Sequence, residues 1–86
     1  MKRNQSKKPT RASEIFAVNL RGLMAIHDVN AAELWMLMGI SRPTFYRRLK
    51  KPYEFTMDNV ERAAKRFGVT PADMLGKVMT VREGVA

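Results

Sequence analysis

The sequence predicts an all-α fold, a compact domain of five short helices, on three observations. Apolar residues recur at helical spacing from Ser13 to Gly76, and residues that start and stop helices stand between the apolar segments. The chain has 86 residues, is 45% hydrophobic and has no cysteine, so one modest core must be held by apolar packing without disulfides.

The elements follow in order. Residues 1–12 hold little that is apolar and are expected to form a flexible basic arm without core contact. Ser13 is the expected cap of helix 1, which turns Ile15, Phe16, Leu20, Leu23 and Met24 inward, with His27 at the inner edge, and runs to Asp28. Asn30 caps helix 2, Ala31 to Met38, which is apolar except for Glu33 and should form the buried middle of the domain. Gly39 ends it in the left-handed conformation, Ile40 plugs the core and Ser41 caps helix 3, from about Arg42 to Lys50. Pro43 is tolerated there because first-turn backbone donors are unpaired anyway.

Residues 51–55 read as a loop. Thr56 opens helix 4, whose Met57, Val60, Ala63, Ala64 and Phe67 face the core, while Asp58 with Arg62 and Glu61 with Lys65 form acid-to-base pairs four residues apart on its outer face. Gly68 ends helix 4, and Thr70-Pro71-Ala72-Asp73 starts a short helix 5 that stops near Gly76. The domain spans residues 13–76. Residues 77–86 form a tail, a candidate dimerisation segment with no firm pattern: short strand, helical extension and frayed end all remain open.

Charge narrows the partners. Sixteen Lys and Arg against eight Asp and Glu give a net charge of +8. Two acid-free runs account for the excess: Lys2, Arg3, Lys7, Lys8 and Arg11 in the arm, and Arg42, Arg47, Arg48, Lys50 and Lys51 on or just after helix 3. The rest of the chain holds six bases and eight acids. Two basic segments on a small, nearly neutral body point to a polyanion, and Phe45 and Tyr46 within the second favour nucleic acid. A membrane surface needs a broad apolar face opposite the charges, and helix 3 offers only Phe45 and Leu49. No apolar run approaches the roughly 18 residues of a membrane span, and the polar start lacks a secretory signal, so a soluble, intracellular protein is expected.

An enzyme is not expected. His27 is the only histidine, there is no Gly-rich phosphate loop, and no carboxylate pair lies outside the salt-bridge repeats. No cofactor, metal or small-molecule substrate is implied. Met24, Met36, Met38, Met57 and Met74 fall at helical spacing and read as core filling rather than as a promiscuous peptide groove.

Helix 2, a Gly-centred turn and a basic helix 3 together read as a helix-turn-helix, which places its second helix in the DNA major groove. The run Ala32-Glu33-Leu34, then Met38-Gly39-Ile40-Ser41 and Phe45, then Phe67-Gly68-Val69-Thr70-Pro71-Ala72-Asp73-Met74-Leu75, resembles the phage lambda repressor and Cro family, also called XRE-type, over roughly residues 14–76. The run from Thr44 to Leu49 is most similar to small phage-encoded members. Three positions depart from the family pattern. Trp35 stands where Ala is usual and should push helices 2 and 3 apart or rotate helix 2. Met24 and Leu49 replace an Arg and Glu pair and are expected to touch. Arg48 replaces an apolar residue and should lay its stem over the core with its head at the surface.

Turning Phe45 and Leu49 inward leaves Arg47 on the outer face of helix 3, where its fork suits the O6 and N7 of guanine. The resemblance adds Arg42 and Pro43 as base contacts. Tyr46 flanks them and reaches a base or a phosphate. Thr44, Lys50, Lys51 and Asn30 are assigned to phosphates, and Lys2, Arg3, Lys7 and Lys8 to an arm that is similar in composition to that of the lambda repressor. The resemblance thus implies a transcriptional repressor of phage or prophage kind, bound as a homodimer to a palindromic double-stranded DNA operator. Its rivals are an antitoxin-type helix-turn-helix protein and a protein-binding module that uses the basic surface.

Overall fold

A computed structural model describes residues 10–79. It consists of α1 (Arg11–His27), α2 (Ala31–Met38), α3 (Arg42–Lys50), a 3-10 turn (Pro52–Glu54), α4 (Met57–Phe67) and α5 (Pro71–Gly76), with no strand among the described residues. The fold is therefore all-α with five helices. In place of a plain loop after α3, the chain makes one 3-10 turn, closed by Glu54 N–H to the Lys51 carbonyl at 2.8 Å and Phe55 N–H to the Pro52 carbonyl at 3.0 Å.

Local chemistry sets the helix ends. Asn30, Ser41, Thr56 and Thr70 each accept the backbone N–H of the residue three positions on, satisfying one donor that the helix leaves free. Helix α1 differs from expectation: its cap is Thr10, and Ser13 is the reciprocal member of a capping box, with Ser13 N–H donating to Thr10 Oγ1 at 3.0 Å and Thr10 N–H to Ser13 Oγ at 3.2 Å. Arg11 and Ala12 are thus helical rather than part of the arm. The remainder of the expected arm, residues 1–9, and the tail beyond residue 79 lie outside the described residues.

One core joins all five helices. Phe16, Leu20, Leu34, Phe45 and Met74 are its largest fully buried side chains, and burial of each contributes about 1.5–3 kcal/mol. Met24 and Leu49, half-buried, both pack against it, so neither lies in solvent. Two expectations of burial fail. Met57, in the first turn of α4, points outward, and half-buried Phe55 packs against the core just before that helix begins. Met36 is 72% exposed, so α2 is buried through Leu34 and Met38 but has an outer face. His27 is also exposed, with its ring tilted against Phe67 at 5.2 Å.

Two asparagines are buried where the pattern suggests only apolar residues. Asn19 donates to the Met74 and Lys77 carbonyls at 3.0 Å each and accepts from Met79 N–H at 2.7 Å. It fastens the chain after α5 to α1 with all of these bonds buried or partly buried, where an unmatched polar group is costly. Asn59 accepts from Thr56 N–H and from Arg48 Nη1, the latter at 2.7 Å.

Candidate nucleic-acid interface

The interface begins with the turn between α2 and α3. Gly39 has φ +73°, a left-handed conformation that a side chain would strain, and its N–H donates to the Met36 carbonyl at 3.1 Å while Ile40 N–H reaches the Trp35 carbonyl at 3.0 Å. Ser41 then caps α3: Thr44 N–H donates to Ser41 Oγ, and that hydroxyl donates to Thr44 Oγ1 at 2.9 Å. Three residues thus end one helix and start the next, each end closed by its own hydrogen bonds. Phe45 is the only fully buried residue of α3 and orients the helix by anchoring it in the core.

With Phe45 inward, Arg42, Pro43, Tyr46, Arg47 and Lys50 are exposed on α3, as is Lys51 at its end. Thr44 is half-buried, its hydroxyl engaged with Ser41. Asn30 is exposed at the start of α2, with its side-chain oxygen accepting Glu33 N–H at 2.9 Å. The arm cations Lys2, Arg3, Lys7 and Lys8 lie outside the described residues.

The aromatic content of this surface forms a platform. The Trp35 indole lies between α2 and α3 with ring centroids 6.1 Å from Phe45 and 6.0 Å from Tyr46, and the last two are 5.6 Å apart, edge to face. The Arg42 guanidinium sits 5.9 Å from the Tyr46 ring centre, within cation-π range. Trp35 therefore supports the exposed half of α3 from below, a role that its half-buried position permits.

The cations of α3 fall into different environments. Arg47 Nε donates to Glu54 Oε1 at 3.1 Å, an ion pair between the helix and the 3-10 turn that sequence reasoning misses. The seven-residue offset across a Pro-containing turn gives no helical register from which to read it. Arg48 departs from its expected place at the surface. Its Nη1 bonds the buried Asn59, and its Nε is buried without a hydrogen-bond partner, so the head is drawn inward to Asn59. Arg21 of α1 donates to the Leu49 carbonyl at 3.4 Å, near the negative end of α3. Arg47, Arg48 and Lys50 share that last turn, so part of the basic run also stabilises its own helix.

Chemically the surface offers hydrogen-bond donors and positive charge on a convex helix. Among the described residues no group of His, Cys, Asp or Glu is arranged to hold a metal, and no helix is long and apolar enough to cross a membrane. A family model for the Cro/C1-type HTH DNA-binding domain matches residues 19–78, most of the chain and the whole of this interface. The chain belongs to the Cro/C1-type helix-turn-helix family. Its assignment as a DNA-binding domain rests on that membership together with an exposed, basic α3. No curated protein and no solved structure gives a significant match. Domains of the Cro/C1 type are typically non-enzymatic DNA-binding modules.

Proposed function

We propose that this Cro/C1-type domain is a transcriptional repressor, of phage or prophage kind, that binds a palindromic operator as a homodimer with α3 in the major groove. The observation that carries the reading is the exposed row Arg42, Pro43, Tyr46 and Arg47 on a helix fixed by Phe45 and started by the Gly39-Ile40-Ser41 turn. Arg47 reads guanine, Pro43 meets a thymine methyl, and Arg42 and Tyr46, stacked one turn apart, act together beside them. Lys50, Lys51, Thr44 and Asn30 contact phosphates, with Lys2, Arg3, Lys7 and Lys8 adding a second cationic segment along the duplex.

The dimer is inferred from the reading requirement: one α3 spans too few base pairs to select an operator. Half-buried Leu75 and Met79 and exposed Val78, held next to α1 by Asn19, are the interface candidates. Selection of bound sequences from a random DNA pool tests the proposal. The expected result is an inverted repeat with half-sites about 34 Å apart, one helical turn. Failure to enrich any sequence over a random competitor overturns sequence-specific binding, and enrichment of a single asymmetric half-site overturns the dimer.

A further inference from the structure

Arg47 is the α3 cation with the clearest use in base readout, yet it is bonded to an acid. The geometry of that bond makes the acid useful. Glu54 engages Arg47 through Nε at 3.1 Å, which leaves the two terminal Nη groups outside the contact. Those two groups are the end-on fork that makes parallel hydrogen bonds to O6 and N7 of guanine. A guanidinium can also approach a base by its side, using Nε with one Nη. With Nε occupied, only the end-on mode remains.

The carboxylate itself stands on a fixed base. The 3-10 turn that bears it is closed by two backbone hydrogen bonds of 2.8 and 3.0 Å. The turn is fastened to the core by Phe55, whose ring packs edge-on against Phe16 at 5.0 Å and Phe45 at 6.3 Å. Phe45 anchors α3 as well, so helix and turn share one support. The Glu54 side chain is 22% exposed against 53% for Arg47: the acid sits back while the arginine projects.

We infer that Glu54 is a positioning and specificity-determining residue, which holds the Arg47 guanidinium end-on toward a guanine and opposes its use as a generic phosphate contact. The inference rests on the DNA-reading role proposed above for Arg47. An acid close to the duplex also repels phosphates, so Glu54 lowers affinity for all DNA while raising the ratio between right and wrong sequences.

The test measures affinity of the full chain for its selected operator, for operators changed at one base pair at a time, and for random duplex. The proteins are wild type, Glu54→Gln, Glu54→Ala, Arg47→Ala and the Arg47→Ala/Glu54→Gln double variant. Glu54→Gln preserves shape, and Glu54→Ala removes the acceptor. Both should bind random duplex more tightly than wild type. Both should lose about two- to fivefold of the discrimination at the base pair where Arg47→Ala relaxes preference, the range an exposed ion pair supports, with other positions unchanged. In the Arg47→Ala background Glu54→Gln should alter no base preference.

A loss spread evenly over the operator, an unchanged ratio, or a ratio that rises on removing the acid overturns the inference and leaves the DNA-reading proposal standing. A wild-type protein without preference for any sequence overturns that proposal, and this inference with it.

Discussion

The outer faces of α3 and α4 are both rich in arginine, and they use it in opposite ways. On α4, Arg62 bonds Asp58 at 2.8 Å and the Leu37 carbonyl at 3.1 Å, and Arg66 pairs with Glu33 of α2. These contacts tie α4 to α2, and each charge is offset by a neighbour, so little of the field survives beyond the roughly 8–10 Å screening length. On α3, Arg42 rests over a ring, and Lys50 and Lys51 have no acidic partner among the described residues. The difference originates in acid placement. Asp58 stands four residues before Arg62, whereas α3 contains no acid at all. One face ties up its arginines as structural braces; the other braces Arg48 against Asn59 but leaves Arg42, Lys50, Lys51 and the terminal nitrogens of Arg47 available for a polyanion.

Both faces rest on one core, and the largest effect should come from removing their common support. Phe45→Ala is expected to cost about 3–5 kcal/mol in urea or thermal unfolding. A cost below about 1 kcal/mol would mean that α3 is held by its surface contacts instead. Next, Arg47→Ala should weaken operator binding by about 1–3 kcal/mol and relax preference at one base pair. Equal losses on operator and random DNA would reassign Arg47 to a phosphate.

The contrast in charge use can be measured directly. Replacing Lys50 and Lys51 by Gln should flatten the log-log dependence of binding on salt by about 0.9 for each phosphate that is no longer neutralised, while Lys65→Gln on α4 should leave it unchanged. Equal slopes for the two variants would erase the distinction between the faces. A smaller effect is expected from the brace: a double-mutant cycle on Glu33 and Arg66 should give a coupling below about 1 kcal/mol in unfolding experiments, because both side chains are partly exposed.

The smallest effect concerns pH. The Thr70 backbone and side-chain hydrogen bonds at the start of α5 hold the Asp73 carboxyl below the ordinary carboxylate range. A carboxylate with a lowered folded pKa adds stability that is fully present above its unfolded pKa and is lost as pH falls through the folded value. Asp73→Asn should therefore reduce the decline in thermal stability between neutral and acid pH. A wild-type acid profile unchanged by the substitution would show that the capping box contributes nothing measurable.

How far the sequence can be read depends on the range of the interactions concerned. The caps at Asn30, Ser41, Thr56 and Thr70, the left-handed glycines and the Asp58–Arg62 pair all act over three or four residues, and each is found where the spacing puts it. Even the difference at α1 is local, a choice between two members of the same capping box. The second predicted pair, Glu61 with Lys65, is not within ion-pair distance among the described residues, since exposed long side chains gain too little from pairing to fix one geometry. Met36 and Met57 depart from the pattern because an apolar residue at helical spacing need not face the core when a neighbour fills the site.

The sequence by itself determined the all-α architecture, the turn between α2 and α3, and the separation of charge into two basic runs on a nearly neutral body. It also marked which residues of α3 face outward once Phe45 faces in. Only the tertiary structure decided that Arg47 meets Glu54, that Arg48 turns inward to Asn59, that Trp35 supports Tyr46, and that Asn19 fastens the chain beyond α5. The physical reason is that periodicity and capping are properties of a few consecutive residues, whereas a hydrogen bond between separate elements depends on how the shared core sets them against one another.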